Sequence, residues 1–201
     1  MGFALTLYVT PLDRVHAAVG SRDDKLRRMI SGRFKDDMAR TDRFLSSAIE
    51  AVGAPSMHDA LRAVIEGGPF ERAHAFQYYY AYERICRHFG KYLNNNDFSP
   101  FRGDWLAQVD AGFAALGVDM VEVSAFMHGA PPAPLPRPDD LLGYGEWTQS
   151  RCRQALAQYD ASAAEARSQL PPRVRDAIES CVGWMRAARA EASLGVVGFF
   201  F

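Results

Sequence analysis

Net charge is almost absent from this chain. Its 23 Lys and Arg stand against 24 Asp and Glu, leaving a formal charge of -1. No overall field draws it to phosphate backbones or anionic lipid, so no nucleic-acid or membrane partner is expected. Cysteine is scarce: Cys86, Cys152 and Cys181 lie far apart with no CxxC. That excludes a disulfide-stapled secreted fold and points to a reducing, cytoplasmic setting. The five histidines, His16, His58, His74, His88 and His128, are dispersed without an HxH or HxxxH pair. A metal site would lack its ligand set, and neither metal nor cofactor is expected. Gly-x-Ser-x-Gly, GxGxxG and GxxxxGK[ST] are missing too, which removes the usual hydrolase and nucleotide signatures. No apolar run reaches the roughly 20 residues of a membrane span. Met1 to Thr10 carries no basic leader and no small-residue cleavage site, so it does not read as a signal peptide.

What is present is core-forming. Of 201 residues, 48% are hydrophobic, which excludes disorder and suits one domain spanning residues 1–201. Phe3, Leu5, Leu7 and Val9 alternate with Ala4, Thr6, Tyr8 and Thr10, the period-two pattern of a strand. Leu194 to Phe201 forms a second apolar segment, rich in Val and Phe. An exposed strand of that kind would aggregate, so it is expected to pair with the first and put both chain ends in the middle of a small sheet.

Between these ends, helical signals dominate. Leu12, Val15 and Val19 follow Pro11 and stop at Gly20; Ser21 with Asp23 and Asp24 opens the next helix. From Lys25 to Val52 the spacing predicts two amphipathic helices with a break near Gly32. Ser56 caps a helix carrying Met57, Leu61, Val64 and Ile65, which Gly67-Gly68-Pro69 ends. Phe70 to Phe89 is too apolar for a surface helix and is expected to be central. Asn94 to Asp97 reads as a polar loop, and Trp105, Val109, Phe113 and Leu116 as a helix closed by Gly117. Asp119 and Glu122 have capping-box spacing, although Val121, Val123, Ala125 and Met127 would also satisfy a strand; the short helix is preferred. Five prolines in Pro131 to Pro138 demand an extended wrap or linker. Helices then cover Thr148 to about Gln169 and the segment restarting at Pro171-Pro172. The fold class is α+β, mostly helical around a small sheet.

Several segments carry a family resemblance. They are Leu12-Asp13-Arg14 with Ala17 to Asp23, Tyr82 to Gly90, Phe98 to Asp110 and, above all, Gly129 to Asp140. Together they resemble a bacterial domain-of-unknown-function family over nearly the whole chain. A second similarity, to the YfbM-like family of uncharacterised bacterial proteins, rests on four features. These are a short helix ending in Gly129, a Gly143-Tyr144-Gly145 turn, a following helix, and a terminal helix running into Leu194 to Phe201. The resemblance implies an α+β fold. Neither family brings an established activity, so no catalytic residue transfers.

Candidate chemistry gathers at the central helix. Glu83 lies one turn before Arg87, an ion pair for a half-buried carboxylate. A cleft bounded by His88, Asp97, Arg102 and Asp104 would join an acid/base pair to a cation for an anionic ligand. The competing reading makes Asp97 and Asp104 helix caps, Arg102 a cover for aromatic surface, and Glu83 a structural ion. Tyr78, Tyr79, Tyr80 and Tyr82 cannot all face inward, because successive helical residues turn about 100° apart. They form either a partner-binding aromatic patch or a set of rings spanning core and solvent. Pro131 to Pro134 with Arg137 could serve as a PxxP ligand or simply wrap its own domain. Cys86 reads as a small buried residue rather than a nucleophile. The expected function is a non-enzymatic, cytoplasmic interaction domain of the partner-binding, regulatory or immunity type, its partner another protein. The rival is a small-molecule enzyme or ligand-binding protein using the polar cleft.

Overall fold

A computed structural model describes residues 2–138 and 142–201. Asp139 and Asp140, the end of the Gly129 to Asp140 segment, lie outside the described residues. Elements follow in chain order. The first are β1 (Leu5–Pro11), α1 (Leu12–Ala18), α2 (Asp24–Arg33), α3 (Lys35–Phe44), α4 (Ser46–Val52), α5 (Met57–Glu66) and α6 (Ala75–Phe89). Next come β2 (Lys91–Tyr92), α7 (Trp105–Ala115), α8 (Ala125–His128) and β3 (Gly143–Trp147). The chain closes with α9 (Gln149–Ala161), α10 (Ala164–Gln169), α11 (Pro172–Arg189) and β4 (Leu194–Phe200). The residues divide into two compact units: 1–12, 90–129 and 143–201 around the sheet, and 13–89 with 130–142, which is helical.

In the sheet unit the strand order is β2-β1-β4-β3, antiparallel throughout. The two chain-terminal strands are the central pair, in register from Leu5 opposite Phe200 to Pro11 opposite Leu194. That is the pairing expected from two apolar ribbons that would otherwise each present an open edge. Leu5, Leu7, Val196, Val197 and Phe199 have no exposed surface. Helix α11 restarts the chain at Pro172, whose missing N–H costs nothing in a first helical turn. It packs on α7, α9 and β4, burying Val174, Ile178, Cys181, Val182 and Met185, the stripe read from the sequence.

Four local expectations are corrected. The Gly143-Tyr144-Gly145 turn is strand β3, in which Gly145 sits opposite Gly198 of β4. This glycine pair makes room for a ring: a Cβ on Gly198 would lie 2.5 Å from Phe126 Cδ1, and one on Gly145 2.9 Å from the same atom. Glycine, which weakens a strand signal in sequence, is here what brings α8 onto the sheet. Second, a two-residue strand, β2, follows Gly90 in a segment to which the sequence assigned no element. Third, Asp119 and Glu122 form no capping box. Asp110 instead accepts the N–H groups of Val123 and Ser124 at 2.6 and 3.0 Å, while Asp119 accepts from Gln158. The short helix α8 is present.

The fourth correction falls in the helical unit. Lys25 to Val52 gives three helical pieces rather than two. The backbone leaves helical geometry at Phe34 (φ -113°, ψ 20°) and Leu45 (φ -95°, ψ 10°), and Gly32 stays inside α2. Helical spacing carries on across both corners, so the apolar stripe does not register them. The cost of reading one continuous stripe is Phe44, which is 83% exposed. Elsewhere the caps match the sequence. Asp23 accepts from the Leu26 N–H at 2.9 Å, and Ser56 accepts from the Asp59 N–H at 3.2 Å while its hydroxyl donates to the Asp59 carboxylate. Helices α5 and α6 form the centre of this unit, with Leu61, Val64, Tyr79 and Tyr82 fully buried. The proline segment holds a turn at Pro132–Leu135 and buries Leu135.

The Gly198 seat for Phe126 yields a direct test. Gly198→Val should lower the stability of the folded chain by about 1–3 kcal/mol through overpacking. Urea unfolding followed by circular dichroism reads the effect; a midpoint equal to wild type would show that the ring does not need that space.

Candidate functional site

The residues singled out by sequence fall in different units. Glu83 and His88 stand on α6 in the helical unit; Asp97, Arg102 and Asp104 belong to the sheet unit. On α6, Glu83 is 3% exposed and ion-paired with its neighbour Arg84, which also donates to Thr41 Oγ1 at 3.0 Å. The anticipated Glu83–Arg87 pair is not formed. Arg87 reaches Asp37 on α3 at 2.8 Å and lays its guanidinium over the Phe34 ring, 4.9 Å from its centre. Burial pushes the Asp37 carboxyl up, but the charges of Arg87, Arg40 and Arg84 outweigh it and hold the group below the usual carboxylate range. The cluster ties α3 to α6.

The tyrosines of α6 are mostly core. Tyr78, Tyr79 and Tyr82 are 3%, 0% and 0% exposed, so their rings offer no surface to a partner; Tyr80 is half-buried. Burial raises the pKa of the Tyr80 hydroxyl above its ordinary value, an effect partly offset by the charge of Arg84. Arg137 is exposed on the proline segment.

His88 is partly buried at the end of α6, and its Nδ1 is enclosed without a hydrogen-bond partner. Burial first, then the positive charges of Arg33 and Arg14, hold its pKa below 6.5. Arg33 donates to the His88 carbonyl at 3.0 Å, and Arg14 covers the adjacent Phe89 ring.

In the sheet unit, the Asn94–Asp97 loop is structural scaffolding. Asn94 O accepts from Trp184 Nε1 at 2.7 Å, Asn95 donates to Leu5 O, and the Asp97 carboxylate accepts from Ser180 at 2.6 Å. Asp97 O accepts from Trp105 Nε1 at 2.8 Å, which fixes the indole at the start of α7. Asp104 precedes α7 without capping its amides and accepts from Gln108 at 2.7 Å. Asp97 is thus tied into the fold, whereas Asp104 is exposed and contacts its helical neighbour Gln108.

Arg102 is placed differently. Phe101 is bonded to Phe3 in both directions, N to O at 2.9 and 2.8 Å, and Gly103, at φ +63°, turns the chain immediately afterwards. Arg102 is thereby pinned between a β-bridge and a helix start. It lines a cavity of about 330 Å³ with Pro100, Phe101, Trp105, Gln108 and Arg173. Arg173, in the first turn of α11, lies over the Trp105 ring, 4.9 Å from its centre. Neither arginine has an ion pair with a described residue, and none of the lining side chains is a carboxylate, histidine or cysteine. Two guanidiniums, permanently charged, therefore converge on an aromatic wall beside the positive end of α7. The arrangement can hold a planar anion by bidentate hydrogen bonds, with Arg173 pre-oriented by stacking. Among its described lining residues there is no general base and no nucleophile.

Sequence reasoning found Arg102 and missed Arg173, which is 71 positions away. A signal existed: a basic residue in the first turn of a helix faces the like-signed end of the dipole, a position normally given to Asp or Glu.

Fold and site together define an α+β protein with a cationic, aromatic-walled pocket. The chain belongs to a family of domains of unknown function, DUF7691, whose match spans residues 1–201. No curated protein and no solved structure matches it. Among the described residues no helix is long and apolar enough to cross a membrane.

The His88 environment sets a pH response. The unfolded chain takes up a proton near pH 6.5 that the folded chain resists, so this residue removes stability as pH falls through that value. His88→Gln should flatten the fall in thermal midpoint between about pH 7 and pH 5. An unchanged slope would mean that His88 titrates as freely in the folded chain as in the unfolded one.

Proposed function

We propose that this protein is a non-enzymatic binding module that recognises an acidic segment of another protein through the Arg102–Arg173 pocket. One observation carries the reading: two unpaired guanidiniums share a cavity that has no carboxylate to neutralise them and no group to perform acid–base or covalent chemistry. Like charges held together in this way repel, and a bound carboxylate relieves the repulsion. Trp105, Phe101 and Pro100 add an apolar wall for the stem of an Asp or Glu side chain. Three free, buried cysteines suit a reducing compartment such as the bacterial cytoplasm. A regulatory or immunity-type role fits a module that captures a partner without altering it.

Poly-L-glutamate serves as the probe. The full chain should bind it, more weakly as salt rises. Arg102→Ala combined with Arg173→Ala should weaken that binding by about tenfold or more, with an unchanged circular dichroism spectrum. Arg175→Ala, two residues beyond Arg173 on α11 and outside the cavity lining, should leave it unaltered. Equal binding by the double variant, or none by the wild type, would refute the proposal.

A further inference from the structure

In the helical unit, the C-terminal end of α6 is held by arginines from two other helices. Arg33, the last residue of α2, donates from Nη1 to the His88 carbonyl at 3.0 Å and so satisfies one of the acceptors that a helix end leaves open. Arg14 of α1 lies over the Phe89 ring, 4.5 Å from its centre, and the His88 and Phe89 rings meet edge to face at 5.1 Å and 85°. Arg33 and Arg87 both lie over the buried Phe34 ring, 5.1 and 4.9 Å from its centre. One seam therefore joins α1, α2 and the end of α6, and His88 is the group in it whose charge changes near neutrality.

Nothing in the seam is built to receive that charge. The Nδ1 atom of His88 is enclosed and has no hydrogen-bond partner among the described residues. Protonation makes both ring nitrogens donors, and an enclosed N–H without an acceptor is costly, so the charged ring must turn outwards to reach water. The charged groups that act on the ring are Arg33 and Arg14, both cations. Carboxylates on the elements that meet α6 are engaged elsewhere. Asp24 of α2 is held by Arg27 and Arg28, Asp37 of α3 by Arg87 and Arg40, Asp59 of α5 by Arg62, and Glu83 of α6 itself by Arg84. Asp13 of α1 and Glu66 of α5 are exposed and are not among the charges that act on the ring. The negative end of the α6 dipole, which would favour a cation, already has Arg33 on it.

We propose that His88 is an acid-released latch: neutral, its ring holds the end of α6 against α1 and α2, and protonated, it swings out, frees the Arg33–His88 bond and uncovers the Phe89 ring. The opening is local, confined to the ends of α2 and α6. Closed, the ring resists the proton; open, it takes it up at the ordinary 6.5. Each pH unit below that value therefore favours the open state by up to about tenfold. The latch lies in the helical unit and does not depend on the Arg102–Arg173 pocket.

Hydrogen exchange of the full chain, resolved by peptide and corrected for the intrinsic rate at each pH, is the test. Between about pH 7.5 and pH 5.5, residues 28–34 and 84–89 should lose up to about tenfold in protection. Urea below its unfolding range should leave that loss unchanged, because a local opening exposes little surface, while protection in α5 falls with urea. In His88→Phe the pH dependence of both segments should disappear. A second measurement does not need the variant to fold: in the wild type, the His88 ring proton followed by nuclear magnetic resonance should titrate with a midpoint below 6.5, and the Arg33 and Phe34 amides should shift with it. Segments that lose protection in step with α5, with equal urea dependence, would overturn the proposal. So would a His88 midpoint at or above 6.5, amides of Arg33 and Phe34 that do not follow it, or a His88→Phe variant with wild-type pH dependence.

Discussion

The ladder between β1 and β4 is the constraint on which the sheet unit depends. Seven residue pairs, from Leu5–Phe200 to Pro11–Leu194, join the first and last segments of the chain. Each strand covers the other's inner edge, and the outer edges are partly covered by the two-residue β2 and the five-residue β3. A row of main-chain groups that would otherwise template aggregation is consumed within the fold. The side chains on this pair, Leu5, Leu7, Val9, Val196 and Phe200, are also part of the hydrophobic core that receives α7, α9 and α11.

From that ladder a short sequence of contacts leads to the pocket. β1 begins just after Phe3, which bridges Phe101, and its ring stacks on Phe200 of β4, 5.2 Å between centres. Arg102 follows Phe101 directly. On the opposite wall, Trp105 is fixed by Asp97 O, and Asp97 is held by Ser180 of α11, the helix that also supplies Arg173. Asn94, Asn95 and Asp97 are engaged in this framework, while Arg102 and Arg173 form no ion pair with a described residue. Positioning comes from the core, and ligand affinity from charge that the core leaves unsatisfied.

How much of this was legible in the sequence depends on the range of the interaction responsible. The terminal strands could be read because strict alternation at one end and an unbroken apolar run at the other each demand a partner, and each is the obvious one for the other. Caps at Asp23 and Ser56 and the stop at Gly67 are local chemistry and were equally plain. β3 was hidden because two of its five residues are glycine, and their use, seating Phe126, is a tertiary contact. The corners at Phe34 and Leu45 were invisible because helical spacing continues across them. Of the pocket, only Arg102 could be seen. Arg173 joins it through packing of α11 against the rest of the unit, and the tyrosines of α6, conspicuous by composition, turned out to be predominantly core.

Hydrogen exchange followed by mass spectrometry on the native chain addresses the central claim most directly. Main-chain amides of residues 5–11 and 194–200 should be among the last in the sheet unit to exchange, and should do so together, at the free energy of global unfolding. If the segment 194–200 exchanges early while 5–11 stays protected, the two ends are not one ladder, and the placement of Arg102 that rests on it fails.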